Sequence, residues 1–243
     1  MAKSVRKQSN SRFVGILVAV GVIGVSFLGY TLSRPRQGIR PVDPNLVAGT
    51  AEGYLVGNPD APVKVMEFAD YECPVCAQWA QVTEPDVKER LVKAGVMSIR
   101  YFDFPLDSHP NSWSASNAVA CGADQGKFEA MKDQVYALQD QWSFATGHRD
   151  PTDGLMAAAK NAGLDMALFE TCYDTQKHYP RIKANLLEGV RFGVSQTPTF
   201  VIGGTVVPGR IPYDQFKQLV DSAAAAVAAA TKSGAKAPGK SGE

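Results

Sequence analysis

Hydrophobic and polar positions divide the chain into stretches of different period. Phe13 to Leu32 is a run of 20 residues without a charge. At 1.5 Å per residue such a run spans about 30 Å as a helix, the thickness of a bilayer core. Gln37 to Ala61 is rich in Pro, Gly, Asn and Asp and shows no period, so it reads as a tether ending in the turn Gly57-Asn-Pro-Asp-Ala-Pro62. Val63–Phe68 alternates and reads as a strand. From Pro74 a helix is predicted to about Ala94, kinked or split at Pro85. Val96–Phe104 is β-branched and aromatic and reads as a second strand. From Asn111 to Phe192 the period turns helical, with candidate helices at Ser114–Gly122, Lys127–Gln141, Asp153–Ala162, Met166–Tyr173 and His178–Phe192. Thr199–Val207 returns to strand character around the hairpin turn Gly203-Gly204. Pro212–Ala230 reads as a final amphipathic helix, and Thr231–Glu243 as a disordered tail without large apolar residues. The order β–α–β, a block of about 80 helical residues, then β–β–α predicts a mixed sheet flanked by helices, with a helical insertion at about 108–192.

The first stretch separates two membrane readings from a buried helix. Residues 1–12 carry Lys3, Arg6, Lys7 and Arg12 and no acidic group, and read as a cytoplasmic N terminus. A cleaved leader has a shorter apolar run and a small-residue cleavage site. Here the run is long and Ser33-Arg-Pro-Arg36 follows, which favours a retained anchor over residues 13–32 and a linker over 33–52. Arg34, Arg36 and Arg40 beyond the span leave only a slight positive-inside bias.

The chemistry sits where the first strand meets the first helix. Cys73-Pro-Val-Cys76 places Cys73 at the N-cap and Pro74 at the first helical position, where its fixed φ fits and its missing N–H costs nothing. Unpaired N–H groups and the helix dipole favour negative charge there, so a Cys73 thiolate is stabilised and reactive. Cys76 lies one turn on and can close a disulfide with it. Cys73 is the expected nucleophile and Cys76 the resolving thiol in exchange through a mixed disulfide. The competing readings are an inert disulfide and half a zinc site. There is no second Cys-x-x-Cys, and His109, His148 and His178 form no short-spaced pair, so no metal or other cofactor is expected.

Composition adds little. The formal net charge is +1 and 45% of residues are hydrophobic, so a core is possible and no basic surplus points to nucleic acid. The remaining cysteines, Cys121 and Cys172, fall in different candidate helices. They read either as buried free thiols or, preferably in an oxidising compartment, as a second, structural disulfide. A dithiol with two further cysteines suits such a compartment, so the bulk of the chain is expected outside the cytoplasmic membrane.

These residues resemble the DsbA-like branch of the thioredoxin-fold disulfide oxidoreductases over roughly residues 53–225. The resemblance rests on Cys73-Pro-Val-Cys76, on Thr197-Pro198 before a strand, on Glu67 six residues before Cys73, and on the helical block after Asp103-Phe-Pro-Leu106. It implies a thioredoxin fold with a helical insertion, a cis bond at Thr197-Pro198 that positions an extended substrate, and a buried carboxylate at Glu67 that takes the Cys76 proton. It also implies that Thr197 lies against the Cys73 sulfur and tunes it through its hydroxyl. One departure stands out. The strongly oxidising members carry Pro-His between the cysteines, and Val75 cannot donate the bond that this histidine gives. The activity implied is disulfide formation in exported proteins, with a membrane partner that reoxidises the dithiol. The opposite polarity, a reductase or isomerase, is the alternative, followed by a peptide- or metal-binding module.

Overall fold

The computed structural model describes residues 16, 19–24, 26 and 49–232, and the chain falls into two units, residues 1–37 and 38–243. In the first unit the described residues are helical and exposed. Among the described residues no helix is long and apolar enough to cross a membrane. The basic segment 1–12, most of the expected anchor 13–32, the linker as far as residue 48 and the tail from residue 233 lie outside the described residues.

The second unit is built on a five-stranded mixed sheet in the order β1-β3-β2-β4-β5. The strands are β1 (Tyr54–Val56), β2 (Val63–Ala69), β3 (Met97–Asp103), β4 (Thr199–Ile202) and β5 (Thr205–Pro208). Strands β2 and β3 run parallel, and all other pairs are antiparallel. Central position explains why β2 is buried on both faces towards its end. Val63 and Val65 pack with Met97, Ile99, Phe200 and Ile202 on one side, while Phe68 packs with Phe102, Phe104 and Val201 on the other. The period of two along each strand thus separates two cores.

Helices cover both faces. The run α1, from Pro74 to Val92, is α-helical over Pro74–Gln78 and Glu84–Val87 and widened to π turns over Trp79–Thr83 and Lys88–Val92. Sequence alone suggested a kink or break at Pro85. The helical run is not broken there: the turn before Pro85 shifts to longer bonds, with Glu84 N–H reaching Trp79 O. Helices α2 (Ser112–Asp124), α3 (Phe128–Ala137), α4 (Thr152–Asn161), α5 (Met166–Asp174) and α6 (Tyr179–Arg191) form the insertion, and α7 (Tyr213–Lys232) closes the chain. The single helix expected over Lys127–Gln141 ends at Ala137 and passes into a short 3₁₀ turn at Gln139–Gln141. Gly189 lets α6 press on the sheet: a Cβ there would lie 2.5 Å from Phe104 Cδ2 and 3.0 Å from Phe68 Cδ1.

Two boundaries differ from the reading of the sequence. The expected tether holds β1, whose three residues are too few to show a period and which is fixed by pairing with Tyr101, Arg100 and Ile99. At the other end α7 runs through Thr231 and Lys232, carried on by the helix propensity of its alanine-rich tract.

The insertion has its own core around Val119, Met131, Val135, Leu155 and Phe169, and a disulfide joins Cys121 of α2 to Cys172 of α5 with their Cα atoms 5.8 Å apart. The bridge closes a loop of sequence separation 51. In the chain-entropy model a loop of this size contributes up to about 4 kcal/mol. Replacing both cysteines by serine is expected to lower unfolding stability by about 2–4 kcal/mol in urea titration while leaving the far-ultraviolet dichroism of the folded state unchanged. Alkylation of the oxidised, unfolded wild type should label neither Cys121 nor Cys172.

Candidate active site

Strand β2 delivers its last residues to a tight turn. Cys73 N–H donates to Asp70 O at 3.2 Å, and Ala77 N–H then donates to Cys73 O at 3.1 Å, which starts α1. Cys73 is the N-cap with extended backbone (φ −70°, ψ 120°) and Pro74 occupies the first turn. Cys73 keeps only 5% of its surface in contact with solvent, and Cys76 keeps none. Val75, between them, is 38% exposed and forms an apolar rim.

The sequence placed Thr197-Pro198 beside the dithiol, and the structure brings them together. The Thr197–Pro198 bond is cis, and Cys73 Sγ lies 3.5 Å from Thr197 O. This contact is to the Thr197 carbonyl, and the Thr197 side chain also lowers the proton affinity of Cys73. Pro198 O accepts from Gly209 N–H at 2.7 Å, which secures this segment against β5.

The two thiols have opposite electrostatics. Cys73 is lowered from 9.0 to about 6, chiefly because the Cys76 thiol donates to it. Burial opposes this, while Thr197 and the backbone N–H groups of Cys76 and Val75 add to it. Burial pushes Cys76 well above its ordinary value, and the neighbouring Cys73 acts in the same direction. Exchange needs this split: one sulfur ionised for attack, the other kept as a proton carrier.

Glu67 is buried, as the resemblance implied. Burial raises its proton affinity first, and the charge of Glu84 adds to this. Its recorded hydrogen-bond partner is Trp79, whose Nε1 donates to Glu67 Oε2 at 3.3 Å. Glu67 therefore meets the dithiol helix at Trp79, three residues past Cys76. Beyond it lies a buried ion pair, Lys132 Nζ to Glu84 Oε2 at 2.7 Å, with Tyr101 OH donating to Glu84 Oε1 at 2.5 Å.

Two carboxylates that the sequence reading passed over tie this turn to the insertion. Asp70 Oδ1 accepts from Glu72 N–H at 2.7 Å and from the Ser112 hydroxyl. Asp70 Oδ2 accepts from Leu106 N–H at 2.9 Å and lies 2.7 Å from His109 Nδ1. Glu72 accepts from Asn111 N–H at 2.7 Å, Phe144 N–H at 2.5 Å and the Ser143 hydroxyl at 3.1 Å. The available signal was two acids flanking Tyr71 in a stretch otherwise fit for burial. Away from the dithiol, Cys121, Cys172 and His178 bring donor atoms within 4.8 Å of one another, but the two sulfurs are bonded to each other.

A family model described as thioredoxin matches residues 50–222, which spans the sheet, the dithiol and the insertion. The chain belongs to the thioredoxin family. Among curated relatives of this thioredoxin-family chain, a Na(+)/H(+) antiporter NhaA 3 of Salinispora tropica is 32% identical over 79% of this chain and 29% of its own length. The chain thus spans less than a third of that antiporter. A probable disulfide bond formation protein D of Bacillus anthracis is 33% identical over 52% of this chain and 54% of its own length. Among solved structures, alpha-DsbA1 of Wolbachia pipientis matches with a TM-score of 0.66 and 21% identity, covering 76% of this chain and 98% of that one. The fold is therefore that of DsbA-type thioredoxins, helical insertion included.

The low affinity of Cys73 for its proton sets a pH signature. In the reduced protein, iodoacetamide should alkylate Cys73 with a rate that rises through about pH 6 and is level by pH 8. Cys76 should remain unlabelled throughout that range, as read by peptide mass spectrometry.

Proposed function

We propose that the chain is a protein thiol–disulfide oxidoreductase that introduces disulfides into exported proteins through Cys73 and Cys76. One observation carries this reading: Cys73, which titrates at about 6 at a helix N terminus, sits 3.5 Å from the carbonyl of the residue before cis-Pro198, with Cys76 buried one turn behind it and held as a thiol. A substrate thiolate attacks the Cys73–Cys76 disulfide at Cys73, and Cys76 leaves and takes a proton. A second substrate thiolate then attacks the mixed-disulfide sulfur of the substrate and expels Cys73 as thiolate. Two electrons pass from the substrate dithiol to the protein, and a membrane partner returns the protein to its oxidised form. In this scheme Glu67 receives and returns the Cys76 proton, and Thr197 and Pro198 hold an extended substrate segment beside Cys73. Pro74 and Val75 shape the apolar rim that the substrate meets.

The same reading takes the uncharged run 13–32 as a single-pass anchor that holds the catalytic unit on the extracytoplasmic side. The Cys121–Cys172 bridge supports an oxidising compartment. The names of the disulfide bond formation protein and the DsbA structures point the same way.

Magnitude bears on the direction of electron flow. At pH 7 a thiol titrating at about 6 rather than 9.0 favours the reduced state about tenfold, which is at most about 30 mV for a two-electron couple. About 150 mV separates thioredoxin from the most oxidising DsbA. With Val75 withholding a donor, Cys73 ionisation alone does not reach the oxidising end. That keeps a second reading, reduction or isomerisation of exported disulfides, in view.

The test is trapping. Cys76→Ala is expected to accumulate a mixed disulfide with a thiol peptide activated as a disulfide, seen by mass, and Cys73→Ala to form none. Absence of an adduct on Cys76→Ala removes the exchange reading. A wild-type potential near −270 mV would move the assignment to reductase, and one well above −200 mV would support oxidation.

A further inference from the structure

Beside the turn that carries Cys73 stands an ion pair that the scheme above leaves unused. His109 lies in the segment leading to α2, and its Nδ1 sits 2.7 Å from Asp70 Oδ2. Asp70 is fully buried, and its carboxylate is fixed by Leu106 N–H, Glu72 N–H and the Ser112 hydroxyl. His109 is fixed in turn by its own N–H, which donates to Leu106 O at 3.0 Å, and only 21% of its side chain is exposed. The same Asp70 accepts from Cys73 N–H through its main-chain carbonyl. One residue thus holds the imidazole with its side chain and the nucleophile with its backbone.

The charges that act most on His109 come from the turn between β2 and α1: Asp70, Cys73 and Glu72. Asp70 is committed to the imidazole itself. Glu72 is occupied by Asn111 N–H, Phe144 N–H and the Ser143 hydroxyl. Cys73 differs from both, because its charge changes during the reaction. It is present in the ionised dithiol and absent in the disulfide. The hydrogen bond that its ring donates to Asp70 raises the proton affinity of His109, burial opposes it, and the charges of Asp70, Cys73 and Glu72 raise it further.

Resting on the exchange reading of the site, we propose that His109, protonated and held by Asp70, is a positioning residue that supplies the counter-charge to the Cys73 thiolate. In this chain the charge comes from the insertion, across the turn, rather than from the position between the cysteines that Val75 occupies. Reduction of the disulfide then delivers two electrons and one proton to the dithiol: Cys76 becomes a thiol and Cys73 a thiolate. A neutral His109 takes a second proton from solvent when the thiolate appears. By linkage the coupling is reciprocal. Whatever His109 contributes to Cys73 ionisation, the Cys73 thiolate returns to His109 protonation, and oxidation removes both.

The experiment follows His109 by NMR of histidine-labelled full-length protein, titrated in the oxidised and the reduced state, with His109→Gln used for assignment. Thiolate absorbance at 240 nm gives the Cys73 midpoint in wild type and in His109→Gln. On oxidation the His109 proton affinity should fall by roughly threefold or more, and the Cys73 proton affinity should rise by the same factor in His109→Gln. Equal His109 midpoints in the two redox states overturn the proposal, as does a folded His109→Gln whose Cys73 midpoint is unmoved. If that variant does not fold, the wild-type comparison alone decides, since assignment then comes from replacing His148 and His178 instead. A merely structural His109 would change stability without a redox-dependent midpoint. Trapping on Cys76→Ala with an indifferent His109 sinks this inference alone, whereas a redox-dependent His109 without trapping sinks the exchange reading and leaves the coupling.

Discussion

The site depends on one handover: the turn Asp70–Cys73, where a strand buried on both faces becomes a helix whose first N–H groups meet a sulfur. The exit of this central strand is enclosed, with Asp70, Tyr71 and Glu72 buried, and Cys73 is mostly covered before any substrate arrives. Burial by itself would suppress ionisation of both thiols. It does so for Cys76, which the chain leaves in an apolar setting one turn deeper. At Cys73 donors from the helix end and from Cys76 outweigh it. The functional asymmetry of two identical side chains therefore comes from three residues of helix.

Enclosure of that turn is the work of the insertion. Asp70 and Glu72 are buried carboxylates whose oxygens are answered by N–H and hydroxyl donors from residues 106–112 and 143–144. Buried carboxylates without such partners would be costly. The insertion is thus held to the thioredoxin layer at the dithiol both by these polar bonds and by an apolar core that Tyr71, Cys73 and Cys76 share with Val119, Met131 and Val135, and the Cys121–Cys172 bridge closes the insertion further out.

Much of this was legible because it is local. The period of two in Val63–Phe68, the Gly203-Gly204 hairpin and the Cys-Pro-Val-Cys helix start are each written within a few residues. Resemblance added Thr197-Pro198 and Glu67, which no local pattern brings to the dithiol. What escaped depends on partners far along the chain. Strand β1 is too short to carry a period, and the π turns of α1 are a matter of bond register, not composition. Lys132 looks in sequence like any surface lysine of an amphipathic helix, and only the fold sets it against Glu84. His109 was weighed as a ligand and set aside, since nothing in its neighbours names Asp70 as the acid that holds it.

The Lys132–Glu84 pair carries a consequence for how this chain can vary over time. Both ends lie out of solvent, so losing Lys132 leaves Glu84 with Lys88 at 3.4 Å as its counter-charge, and losing Glu84 leaves Lys132 with Asp133 at 3.1 Å, at a cost of up to about 3–5 kcal/mol. Replacing both together by apolar groups of similar volume leaves no lone charge, though it takes from the Tyr101 hydroxyl its Glu84 acceptor. Drift at the two positions is therefore restricted to concerted steps. The two positions lie 48 apart in sequence, one on the dithiol helix and one on α3, so the history of the insertion and that of the dithiol helix are bound to each other at this point.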